Sequence, residues 1–151
     1  MHPFAADLNW LLHRVGAVLG SAQDEAAQRH GLGIRGYVVL HSIATSPGSN
    51  QFELGRSLGL DKTTTTVVLD RLEDAGLIVR RPAPGDRRAR VAEATGEGHE
   101  VARKVRKDVI DTERQLMAGM SDTDREELVR LLQALAFGHF ADAAPVSGSC
   151  I

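Results

Sequence analysis

The chain has 151 residues, 42% of them apolar, and a formal net charge of −2, enough for one domain, or one small domain with helical extensions, built around a sizeable core. One Trp, one Tyr and four Phe leave that core to Leu, Val, Ala and Ile, and no apolar run approaches the ~18 residues of a membrane span. The first residues lack the basic start and apolar run of a signal peptide, and a lone cysteine, Cys150, excludes an intrachain disulfide, so a reducing cytoplasm is expected.

Leu8, Leu11, Leu12, Val15, Val18, Leu19, Ala22 and Ala26 recur at helical spacing and predict an amphipathic first helix over residues 7–30. Gly31 and Gly33 are expected to end it in the left-handed conformation. A second helix over 34–44 carries Val38, Val39, Leu40 and Ile43, followed by the turn cluster Ser46-Pro47-Gly48-Ser49. Asn50 with Glu53 three residues on has the form of a capping box and opens a short third helix through Leu54 and Leu58. Gly59 permits a sharp turn. Asp61 then caps a fourth helix that buries Val68, Leu69 and Leu72 and stops at Gly76. Leu77-Ile78-Val79 and Arg90-Val91-Ala92 read as two short strands, with Pro82 and Pro84 keeping the tip out of the ladder. Thr95 caps a long fifth helix carrying Val101, Val105, Val109, Leu116 and Met120. Ser121-Asp122-Thr123-Asp124 restarts a sixth, with Leu128, Leu131, Leu132, Leu135 and Phe140 on its apolar side. Residues 143–151 read as a mobile tail.

Helix, turn, helix and basic hairpin over residues 50–94 make a winged helix-turn-helix. The expected fold class is mainly α with a small β-wing, plus a helical dimerisation region. Double-stranded DNA is the partner this pattern suits. A helix fits the major groove with its N-terminal residues nearest the base edges, and Lys62-Thr63-Thr64-Thr65-Thr66 stands there. Hydroxyls are short donors and acceptors, Thr methyls pack on thymine methyls, and the helix N-terminus offers free N–H groups to phosphate. Four β-branched residues are poor helix material, which Asp61 and the apolar face must offset. Arginines 80, 81, 87, 88 and 90 against one acid, Asp86, give the hairpin a local charge of +4, while acids gather at 122–127. Because fields are screened within ~8–10 Å, such a patch can act although the whole chain is slightly acidic. Arg87, Arg88 or Arg90 can enter a narrowed minor groove, Asp86 shapes the hairpin, and Arg71 reaches phosphate or pairs with Asp74. The flanking helices are too apolar to stand alone and are expected to pack against a second copy.

At these residues the chain resembles the MarR family of bacterial transcriptional regulators. The resemblance rests on Gln51-Phe52-Glu53-Leu54-Gly55-Arg56-Ser57-Leu58-Gly59-Leu60 and on Leu69-Asp70-Arg71-Leu72-Glu73-Asp74-Ala75-Gly76-Leu77-Ile78. Asp86-Arg87-Arg88-Ala89-Arg90 and Ala94-Thr95-Gly96-Glu97-Gly98 complete it, so that it covers nearly the whole chain. It implies one domain over 7–142, with a dimerisation region at 7–30 and 95–142 and a winged lobe at 34–94. It implies a homodimer on a palindromic site and a pocket where small, often aromatic or phenolic, ligands weaken DNA binding. By position, Lys62 and Thr63 to Thr66 are the recognition residues, and Asp86 and Arg88 match the wing's Asp-x-Arg, the first structural and the second on DNA. Three departures stand out. Val67 replaces a residue that is often polar or basic, Ala94 replaces a more usual leucine, and Cys150 is far from the first-helix cysteine of redox-sensing relatives.

Trp10, His13 and Arg14 on the first helix, with Tyr37 and His41 on the second, are candidates to line such a pocket. The rings would stack an aromatic ligand while His or Arg holds a carboxylate or phenolate. Trp10 and Tyr37 equally suit core or dimer packing. Six scattered histidines form no tight cluster, so no metal or other cofactor is expected, although His13 and His41 keep a metal-responsive regulator as an alternative. No phosphate loop, nucleophile elbow or paired carboxylate site is evident, which argues against an enzyme. The expectation is a homodimeric repressor of a pseudo-palindromic operator, relieved by a small ligand. The alternative from another class is a winged-helix protein–protein module that does not bind DNA.

Overall fold

The computed structural model describes residues 2–141, and at 86–88 the backbone only. The tail expected at 143–151, with Cys150, lies outside the described residues. In chain order the elements are α1 (Leu8–Gln28), α2 (Ile34–Thr45), α3 (Gln51–Ser57), α4 (Lys62–Asp74), β1 (Ile78–Ala83), β2 (Asp86–Ala94), α5 (Gly96–Leu116) and α6 (Asp122–Gln133). A π-helical segment, Ala134–His139, follows α6.

Local chemistry starts most of these helices. The Asp7 carboxylate accepts from Trp10 N at 2.8 Å, and Asn50 with Glu53 forms the complete capping box. Asp61, Thr95 and Ser121 cap α4, α5 and α6 through side-chain oxygens. Gly33 departs from expectation: it is extended, at φ −83°, and stands as the N-cap of α2, while the left-handed residue after α1 is Gly31. Met120 lies beyond the end of α5, in the turn before Ser121.

The wing is longer than its apolar triplets predicted. β1 and β2 pair antiparallel from Ile78↔Ala94 to Pro82↔Arg90, with an irregularity before Ala83↔Asp86. Pro82 therefore sits inside the ladder rather than outside it. A two-stranded ribbon has only edge strands, where a missing N–H that faces solvent costs nothing.

Two apolar clusters hold the protomer. The larger joins α2, α3, α4, the wing and α5 through Leu40, Leu54, Leu69, Leu72, Ile78 and Ala102. The smaller joins the end of α1 to α2 and α5 through Ala26, Ala27, Tyr37, Val105 and Val109. Thr95 locks α5 to the lobe: its hydroxyl donates to the Gly76 carbonyl at 2.8 Å and its N–H to the Leu77 carbonyl at 3.0 Å. Gly98 lies so close that a Cβ there would stand 2.0 Å from that same Leu77 oxygen.

The other end of the molecule is different. No residue of α6 is buried. Leu128, Val129, Leu131 and Leu132 are exposed on it, Phe137 is 80% exposed beyond it, and Leu8, Leu12, Val15 and Val18 are exposed on α1. This apolar surface is large for a protein that stays alone. Among the described residues no helix is long and apolar enough to cross a membrane.

Candidate nucleic-acid interface

The crossing of α3 and α4 explains how the threonine run is used. A Cβ on Gly55 would lie 2.7 Å from Thr65 Oγ1 and 3.2 Å from the Leu60 carbonyl, so only glycine lets the two helices approach this closely. Thr65 fills that contact. It is 1% exposed and its hydroxyl donates to the Asp61 carbonyl at 2.8 Å. The expectation of a DNA-facing Thr65 is therefore corrected: it is a core residue of the crossing.

The neighbouring hydroxyls are also engaged. Thr64 Oγ1 donates to Asp61 Oδ2 at 2.7 Å while its N–H bonds Asp61 Oδ1 at 2.8 Å. Hydrogen bonds from the Thr64 N–H and then the Thr64 hydroxyl hold the Asp61 carboxyl below its ordinary range. Thr66 Oγ1 donates to the Lys62 carbonyl at 2.9 Å and accepts from Gln51 Nε2 at 2.6 Å, a bridge between the two helices that sequence reading missed. Lys62, Thr63, Val67 and Arg71 remain on the exposed side of α4. Arg71 does not pair with Asp74; neither it nor Lys62 has an ion pair among the described residues.

The wing's basic patch is thinner than its composition. Arg80 faces α4: its N–H and Nε reach Glu73 at 3.1 and 2.8 Å, and Nη2 bridges Glu73 and Asp70, the latter at 2.7 Å. The arginine's side-chain hydrogen bond holds the Glu73 carboxyl below its ordinary range, and the same bond lifts the arginine above its own. Arg80 is thus a clamp between recognition helix and wing, and the Glu73…Arg80 pair across the helix end was its overlooked signal. Arg81 pairs with Glu93 at 3.1 Å. Arg90 is exposed opposite Pro82 in the ladder. The side chains of Asp86, Arg87 and Arg88 lie outside the described residues.

The candidate ligand residues separate into two groups. Tyr37 is buried, its ring stacks on His41 at 5.6 Å, and its hydroxyl accepts from Arg106 Nη1 at 3.5 Å. Arg106, on α5, went unnoticed in the sequence. Trp10 instead packs with His2 and Phe4, at centroid distances of 4.3 and 6.0 Å. Trp10 precedes Ala26 by sixteen residues of α1, or about 24 Å, so it does not meet Tyr37 within one protomer. His13 and Arg14 are exposed on the same early part of α1. Among the described residues no group of three or more His, Cys, Asp or Glu is placed to hold a metal.

Burial first, and then Arg106, lower the His41 pKa from 6.5. Folding therefore resists a proton that the unfolded chain accepts, and stability present above about 6.5 is lost as pH falls below it. The urea midpoint should drop between about pH 7 and 5, and His41→Gln should flatten that part of the profile. An unchanged profile in the variant would remove His41 as the cause.

Comparison with known proteins gives one consistent result. The MarR family model matches residues 34–89. The chain is 31% identical over 130 residues to the HTH-type transcriptional repressor Rv2887 of Mycobacterium tuberculosis, across 86% of this chain and 94% of that protein. Structures of Rv2887 in complex with DNA (TM-score 0.74, 30% identity, covering 86% and 98% of the two chains) and with salicylic acid (0.72, 30%, 86% and 96%) are similar to it. A MarR-family regulator from Rhodococcus sp. RHA1 superposes with TM-score 0.82 at 31% identity, over 91% of this chain and 97% of that one. CouR from Rhodococcus jostii RHA1, bound to p-coumaroyl-CoA, superposes at 0.78 with 29% identity over 91% and 96%.

Proposed function

The chain belongs to the MarR family, and from that premise we propose that it is a homodimeric transcriptional repressor that binds a pseudo-palindromic operator and is released by a small aromatic ligand. The observation that carries this is the joining of α4 to the wing by Arg80, beside the exposed cations Lys62 and Arg71. A recognition helix and a wing held as one body suit a duplex, because neither needs to be ordered on binding. In this reading Lys62, Thr63 and Arg71 contact the major groove and its phosphates, with Thr64 and Thr66 at its edge. Arg87, Arg88 and Arg90 serve the adjacent backbone and minor groove, and Asp86 shapes the hairpin.

The domain spans 7–142, with a winged lobe at 34–94. The apolar faces of α1, α6 and the segment after it supply the dimer surface. Tyr37, His41 and Arg106 form the polar end of the effector site: rings to stack an aromatic ligand and a guanidinium for its carboxylate. Rv2887 bound to salicylic acid supports that class of ligand. Such a regulator works in the cytoplasm, by binding and not by catalysis.

The test is an anisotropy titration of a labelled duplex taken from upstream of the protein's own gene. One dimer should bind two half-sites about 34–36 Å apart, and salicylate should release it. Inserting about 5 bp between the half-sites turns one of them to the far side of the duplex and should abolish binding. Binding indifferent to that insertion would refute the two-lobed reading.

A further inference from the structure

Resting on the reading that α4 enters the major groove, we propose that this chain identifies its operator there through the 5-methyl groups of thymine, with Val67 as the specificity-determining residue. Three of the four threonine hydroxyls on the helix are already engaged, which leaves Lys62, Thr63 and Arg71 as its open donors among the described residues, at its first turn and far end. The hydroxyls of Thr64, Thr65 and Thr66 donate to Asp61 Oδ2, the Asp61 carbonyl and the Lys62 carbonyl at 2.7, 2.8 and 2.9 Å. Thr66 also accepts from Gln51, at 2.6 Å. What Thr64 and Thr66 still offer a base is a methyl group and, at most, an acceptor lone pair.

Val67 extends that apolar character. It is 42% exposed, one turn after the exposed Thr63. Asp70, in the next turn, has the chemistry to accept from cytosine N4, yet Arg80 Nη2 holds it at 2.7 Å. Between Thr64 and Asp70 the side chains therefore match the one apolar feature of the major groove. Against the polar edge of guanine, adenine or cytosine, Val67 would strip water from groups it cannot satisfy. Against thymine it buries a methyl. Thymine and uracil differ in that methyl alone, so the two can be compared without altering base pairing.

The experiment measures the affinity of the wild type and of Val67→Ala for the operator duplex, with each thymine replaced in turn by deoxyuridine. Val67 is exposed, so the variant should fold, which circular dichroism checks. At one or two thymines per half-site the wild type should lose about fourfold for each missing methyl, the value of one buried methyl-sized group. In Val67→Ala the same substitution should cost less than about twofold, a coupling read from the double cycle. Indifference of the wild type at every thymine would overturn the proposal, as would a penalty that survives in Val67→Ala. If the unmodified duplex is not bound at all, the DNA-binding reading itself has failed, an outcome distinct from both.

Discussion

Arg80→Ala is expected to weaken operator binding by about tenfold or more while leaving the protein folded and the salt dependence of binding unchanged. The side chain is only 20% exposed, and its donors are directed at Glu73 and Asp70 on α4, not outward. It therefore contributes no phosphate contact that could be lost. What disappears is the tie between wing and recognition helix, and the wing's contacts must then be ordered anew at each binding event. Arg88→Ala provides the contrast: a lost phosphate contact should reduce the log–log salt slope by about 0.9. Arg80→Lys should fall between wild type and alanine, because one ammonium cannot reproduce a planar fork that serves two carboxylates. Anisotropy titrations of the three variants at several salt concentrations separate positioning from contact. A slope that falls in Arg80→Ala as it does in Arg88→Ala would make Arg80 a contact residue.

Gly98→Ala should cost about 3 kcal/mol or more and lower the melting temperature by roughly 6–12 °C. Alanine is the better helix former by about 1 kcal/mol, so packing alone must reverse that preference. It does so because the new Cβ would stand 2.0 Å from the Leu77 carbonyl oxygen and 3.0 Å from its carbon, both of them backbone. No rotamer change relieves such a contact. The start of α5 must withdraw, which strains the 3.0 Å bond from Thr95 N to that oxygen and the 2.8 Å bond from the Thr95 hydroxyl to Gly76. Gly96→Ala, with nothing within 4 Å of its Cβ, is the control and should melt at or slightly above wild type. Equal melting of the two variants by circular dichroism would show that α5 is not locked to the lobe at this point.

What could be read from the sequence follows the range of the interaction. The Asn50–Glu53 capping box and the caps Asp61, Thr95 and Ser121 were legible because donor and acceptor lie three residues apart. Apolar spacing likewise marked Val68, Leu69 and Leu72 as the inner face of α4. Thr65 was misread as part of the DNA face because its burial depends on Gly55, ten residues earlier on another helix. Arg80 was counted in a free basic patch because composition does not reveal that Glu73 and Asp70 face it across the helix end. Trp10 and Tyr37 were grouped by chemistry, while the length of α1 keeps them apart and α5 supplies Arg106 instead. Pro82 was excluded from the ladder by a rule for central strands that an isolated ribbon does not obey.

The exposed side of α4 and the wing are proposed to hold duplex DNA together, through its phosphates. The affinity of the wild-type dimer for its upstream duplex, measured as a function of salt concentration, decides this. A straight log–log decline of several units in slope is expected, about 0.9 for each phosphate neutralised, and it should become shallower in Lys62→Ala and in Arg71→Ala. A slope near zero in the wild type, or slopes indistinguishable in the variants, would contradict it.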